Sequence, residues 1–96
     1  MLKKLPQINE TLIPNSVVTT EIIEYINSYI QSNSCENLKI DISFINIIDS
    51  CHIVTLCSTN HYIKYPQGKV KWVTSSSLIK DLTESLRLEN CEFITV

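Results

Sequence analysis

The stretch Leu38-Lys39-Ile40-Asp41-Ile42-Ser43-Phe44-Ile45-Asn46-Ile47-Ile48-Asp49-Ser50 decides the fold. Its first seven residues alternate apolar and polar, the period of a strand with one face in the core. Ile45, Ile47 and Ile48 keep up the β-branched density, which predicts one strand running on to residue 48 and buried on at least one face. Asp49-Ser50 then supplies a helix cap, because a short oxygen-bearing side chain accepts from the free N–H groups of a first helical turn.

Downstream, Cys51 to Tyr65 has a muddy period. Ile53, Leu56 or Cys57, and Asn60 trace one helical face, with Ile63 beyond it, and a strand is the alternative reading. Pro66-Gln67-Gly68 closes this segment, with Gly68 as the turn residue. Lys69-Val70-Lys71-Trp72-Val73 alternates as a strand. Ser75, Ser76 and Ser77 offer the next cap, and Leu78, Ile79, Leu82 and Leu86 form a helical stripe. Asn90 is suited to a left-handed helix end, and residues 91–96 close as a strand. The order β-α-β-α-β from residue 38 onward predicts a largely parallel sheet with crossover helices.

Upstream, Thr19-Thr20 caps a helix in which Ile22, Ile23, Tyr25, Ile26, Tyr29 and Ile30 recur at helical spacing, fading at Ser32-Asn33-Ser34. Residues 2–8, LKKLPQI, read as an extended edge segment, since Pro6 cannot donate to a ladder. Residues 11–13 add a short strand before Pro14 and Asn15 turn the chain. The sheet is therefore expected to carry N-terminal edge strands.

The 96 residues are the length of one domain, residues 1–96. An apolar fraction of 44% against 19% charged makes the chain globular rather than disordered. A net charge of −2 argues against a general nucleic-acid binder. Gly68 is the only glycine, which excludes a Gly-rich phosphate loop. No apolar run approaches a membrane span, and residues 1–10 lack the apolar core of an export signal, so a cytoplasmic location is expected. Residues 50–80 contain no acid but hold Lys64, Lys69, Lys71 and Lys80, a block able to form a basic edge facing an acidic partner; ordinary solvated lysines are the plainer reading.

Catalytic and metal chemistry is not indicated. His52 and His61 stand at no recognisable distance from a nucleophile and a carboxylate. Asp41 and Asp49 lie along a strand and its exit, not as an acid–base pair. Cys35, Cys51, Cys57 and Cys91 form no C-x-x-C pair and read as reduced, half-buried apolar residues. Cys51, His52, Cys57 and His61 hint at zinc, but on a helix Cys51 sits well around from the face that Cys57 and His61 share, and a structural zinc needs converging ligands. No cofactor is expected. The most informative position is Ser50: a hydroxyl exposed at a helix N-terminus tolerates phosphorylation, because free N–H groups and the dipole's positive end face the added charge. The plainer reading is a helix cap alone.

Residues 38–94 resemble a STAS domain, the module of anti-sigma-factor antagonists, stressosome subunits, anion-transporter tails and bacterial lipid-transport partners. The resemblance rests on LKIDISFINIIDS, in which an apolar strand ends in an aspartate and a second apolar pair precedes Asp-Ser at a helix start. Leu56, six residues after the serine, and KVKWVTSSSLIKDLTESLRLENCEFI continue the family's order and spacing. Residues 1–18 match only loosely.

The resemblance implies a STAS-like α/β fold and a non-catalytic regulatory module that binds proteins. It implies Ser50 as the residue that a partner kinase phosphorylates, releasing that partner, with Asp49, Ser50, Cys51 and His52 at the partner-binding rim. The partner it implies is an anti-sigma serine kinase. The alternative is a subunit that is not phosphorylated and docks on an ABC-type ATPase in lipid transport. The family usually places a small residue and then glycine after the serine, whereas this chain has Cys51 and His52.

Overall fold

The computed structural model describes residues 11–96. Helix α1 spans Thr19–Ser32, strand β1 Asn37–Asp41, helix α2 Ile47–Lys64, strand β2 Lys69–Thr74, helix α3 Leu78–Thr83 and strand β3 Cys91–Thr95, with a 3-10 turn over Glu84–Leu86. The strands form one parallel sheet in the order β1-β2-β3. The alternating α/β order and the parallel sheet are those expected. The edge segment expected over residues 2–8 lies outside the described residues. The short strand expected over residues 11–13 is reduced to an isolated parallel bridge between Leu12 and Ile40.

The segment carrying Leu12, then β1, β2 and β3, are neighbours in chain order, so every crossover moves across the sheet in the same direction. Parallel crossovers are right-handed in nearly all proteins, so successive crossovers in one direction place their helices on one face. The burial pattern follows. Leu38, Ile40, Val70 and Trp72 lie on the helix side and are buried, while Lys69, Lys71 and Glu92 of the opposite face are exposed. Ile22, Ile26 and Ile30 of α1, Ile53, Val54 and Cys57 of α2, and Ile79 of α3 close the core over the sheet.

Several local expectations are corrected. β1 ends at Asp41 rather than continuing to residue 48. The Asp41 carboxylate accepts from the Ser43 N–H at 2.9 Å and the Ser43 hydroxyl at 2.7 Å, and the Ile45 N–H turns back to the Ile42 carbonyl at 3.0 Å. These bonds make a turn where composition alone favours strand. In α3, only Ile79 of the expected stripe is buried. Leu78, Leu82 and Leu86 are exposed; the helix tightens after Thr83 and ends in a left-handed residue. That residue is Arg87, at φ 57°, and not Asn90. Asn90 is buried instead, donating its amide to the Ser58 carbonyl at 3.1 Å. The caps also shift. Val18, not Thr19 or Thr20, stands before α1, and the Ser16 hydroxyl accepts its N–H at 3.0 Å. Of Ser75, Ser76 and Ser77, all offered as the cap of α3, it is Ser76 whose hydroxyl accepts the Leu78 N–H.

Candidate interaction face on helix α2

Asn46 is the residue that starts α2. Its side-chain oxygen accepts from the Asp49 N–H at 2.8 Å, and its amide donates to the Asp49 carboxylate at 2.9 Å. This reciprocal pair satisfies a free helical donor and places an anion at the positive end of the dipole. Asp49 is thus in the first turn and not a cap, and Ser50 lies one residue deeper. Ser50 is 0% exposed, and its hydroxyl donates to the Ile45 carbonyl at 3.2 Å. The expectation of an exposed hydroxyl at this position is overturned. The helix starts two residues before Asp49, so the 3.6-residue period turns Ser50 inward with Ile53, Val54 and Cys57.

The four residues expected at a partner rim separate accordingly. Asp49 and Cys51 are half-buried, Ser50 is buried, and His52 is exposed. The residues that share the outward side of α2 with His52 are Ile48, Leu56, Thr59 and Ile63, at helical spacing. Ile48 is 75% exposed, Leu56 45% and Ile63 72%. Phe44, in the turn before the helix, is half-exposed beside them in sequence. Residues 50–63 contain no Asp, Glu, Lys or Arg. A helix that is apolar all round is ordinarily covered on all sides; α2 buries its inward side and leaves Ile48, Leu56 and Ile63 open on the outward one. This face explains the muddy period of the sequence: the apolar residues are not confined to the core side.

The inward side of α2 is fastened by polar contacts. His61 is fully buried, and its Nε2 lies 2.8 Å from the Cys35 carbonyl. A carbonyl only accepts, so Nε2 carries the hydrogen; Nδ1 is buried without a hydrogen-bond partner among the described residues. Burial drives the His61 pKa below its ordinary value, since nothing receives the second proton. The Lys64 ammonium reaches over the end of α1 and donates to the carbonyls of Ile30 at 2.6 Å and Gln31 at 3.0 Å. A cation there meets the negative end of the α1 dipole. Lys64 therefore leaves the basic block read from the sequence and acts as a clamp between helices. On the other flank of α2, the Ser58 hydroxyl accepts from the Trp72 indole N–H at 2.9 Å and lies 2.9 Å from the Cys91 sulfur. Sequence periodicity gives no signal for these contacts, because each partner comes from a different element.

No group of three or more His, Cys, Asp or Glu side chains is placed to hold a metal among the described residues. Cys51, His52, Cys57 and His61 are all on α2, but Cys57 and His61 point into the core while His52 faces outward. The four cysteines are free thiols. Burial raises the pKa of each, that of Cys57 to about 12, which disfavours the reactive thiolate. Among the described residues no helix is long and apolar enough to cross a membrane.

The site is therefore a surface rather than a cleft: an uncharged helical face beginning at the carboxyl end of β1, where open α/β sheets gather their binding sites. Comparison with protein-family models, with curated proteins and with solved structures gives no match.

Proposed function

We propose that this chain is a STAS-like, non-catalytic module that docks on a partner protein through the outward face of α2. The observation that carries this reading is the uncharged surface that Ile48, His52, Leu56 and Ile63 form along one side of a single helix. Covering such side chains yields about 25 cal/mol per Å² of apolar surface removed from water. Phe44 and Ile48 at the start of the helix extend the contact to the region of the Asp-Ser motif, where the resemblance implies a partner.

Two forms of this function differ in the role of Ser50. In the partner switch, a kinase such as an anti-sigma serine kinase phosphorylates Ser50, and the added charge of about −1.5 to −2 ejects the partner. The burial of Ser50 and its bond to the Ile45 carbonyl mean that the first turn of α2 must open before a kinase reaches it. In the second form, the chain is a constitutive subunit, for instance on an ABC-type ATPase, and Ser50 only packs. The burial of Ser50 favours this second form. Native purification of the tagged chain from its own cells, with mass spectrometry of what comes with it, tests both. Under constitutive docking, one partner co-purifies with wild type and Ser50→Ala alike and is lost with Ile48→Glu. Phosphate on Ser50, with loss of the partner from the modified form, establishes the switch instead. Retention of the partner by Ile48→Glu and by Leu56→Glu removes the α2 face from either form.

A further inference from the structure

The sheet face away from the helices is open among the described residues at Asn37, Lys69, Lys71, Glu92 and Ile94, while Val73 on the same face is buried, and it is chemically unlike the α2 surface. The strand register lays three rows across it: Asn37 beside Lys69, then Lys39 beside Lys71 beside Glu92, then Asp41 beside Val73 beside Ile94. Asn37, Lys69, Lys71 and Glu92 are exposed, Lys39 is half-buried, and the first two rows border a shallow depression of about 330 Å³. Neither Lys39 nor Lys71 has an ion-pair partner among the described residues.

Two features of this face are unfavourable among the described residues. Parallel sheets are almost always covered on both faces. Like charges directly opposite on paired strands repel, as Lys39 and Lys71 do here. Lysines often guard sheet edges against unwanted strand pairing, but β2 is the central strand, so that role does not account for Lys69 and Lys71.

We propose that this face docks an acidic amphipathic segment of a partner protein, with carboxylates seated among Lys39, Lys69 and Lys71 and an apolar side chain laid on Ile94. A carboxylate between Lys39 and Lys71 removes their repulsion. The neighbouring Ile94 gives the segment a second foothold that a polyphosphate cannot use. Glu92 and Asp41 at the margins, together with the net charge of −2, disfavour nucleic acid and anionic lipid. This face is on the opposite side of the sheet from α2, so the inference is independent of the function proposed above.

The test uses a fluorescein-labelled amphipathic peptide of glutamate and leucine, a lysine–leucine peptide of the same pattern, phosphatidylserine vesicles and duplex DNA. The chain binds the acidic peptide in preference to the other three, and added salt weakens the complex. Lys39→Glu lowers the affinity at least about tenfold, because it sets like charge against the peptide. The same substitution raises the thermal midpoint of the free protein, since it replaces a repelling pair by an attracting one. Loss of binding in a variant that folds more stably cannot be put down to misfolding. Ile48→Glu leaves the peptide affinity unchanged. Absence of peptide binding, equal affinity of wild type and Lys39→Glu, or preference for vesicles or DNA overturns the proposal.

Discussion

Gly68 and His61 show how single residues are fixed by their surroundings. Gly68 does not have positive φ, so conformational freedom is not why glycine stands there. A Cβ at this position would run into the Glu36 carbonyl oxygen and come within 2.8 Å of His61 Cε1 and 3.0 Å of Tyr65 Cβ. The first of these is backbone, which cannot swing aside. Gly68→Ala should therefore destabilise the protein by roughly 1–3 kcal/mol in urea titration, the usual cost of overpacking. His61 makes a prediction about pH. Its folded pKa is lowered by burial, so below the unfolded value of about 6.5 the unfolded chain takes up a proton that the folded chain refuses. Its contribution to stability is thus present above about pH 6.5 and is lost as pH falls from there toward the folded pKa. His61→Gln retains an N–H donor for the Cys35 carbonyl but does not titrate. Urea midpoints of wild type and variant should therefore converge or cross as pH is lowered from 7.5 to 5.5; parallel curves would show that His61 is not held neutral. The sequence disclosed that His61 and Cys57 share a helical face, but not that Cys35 and Gly68 close around the ring from other elements.

At the scale of elements, the ends were harder to read than the interiors. The helical stripe of α1 and the alternation in β1 and β2 were legible, because period reports which side is buried. The boundary between β1 and α2 was not, because Ile45, Ile47 and Ile48 suit a strand and only side-chain bonds from Asp41 and Asn46 break it. Asn46→Ala should cost about 1 kcal/mol, the typical worth of a helix cap, read as a shift in urea midpoint with an unchanged slope. The α3 stripe offers a sharper contrast. Leu78, Ile79, Leu82 and Leu86 are equivalent in the sequence pattern, yet only Ile79 is in the core. Ile79→Ala should cost about 2–5 kcal/mol by emptying a packed site. Leu82→Ala, at a position 55% exposed, should cost less than about 1 kcal/mol. Similar losses at both positions would mean that α3 packs its whole stripe.

For the whole molecule, one-directional crossovers have a consequence beyond shape. Placing α1, α2 and α3 on one face leaves two surfaces of different chemistry, an uncharged helical face and a lysine-bearing sheet face. A chain of this size has one core to close, and burying one side of each element is enough for it. The surfaces left over are then available for partners, and they lie on opposite sides of the same sheet.

Taken alone, the sequence determined that the chain is α/β, that the sheet from residue 38 onward is parallel, and that nucleotide loops and membrane spans are absent from its pattern. These follow from period, composition and connection length, which are local properties. It also located the Asp49–Ser50 region as the place of interest and noted the acid-free run of lysines. Tertiary structure alone decided that Ser50 is turned into the core, that Lys64 is spent on the end of α1, and that Ile48, Leu56 and Ile63 face outward. It alone brought Lys39 beside Lys71. The physical reason is that exposure and cross-strand register depend on how elements pack against one another. An isoleucine reads the same in a sequence whether its side chain meets the core or the solvent.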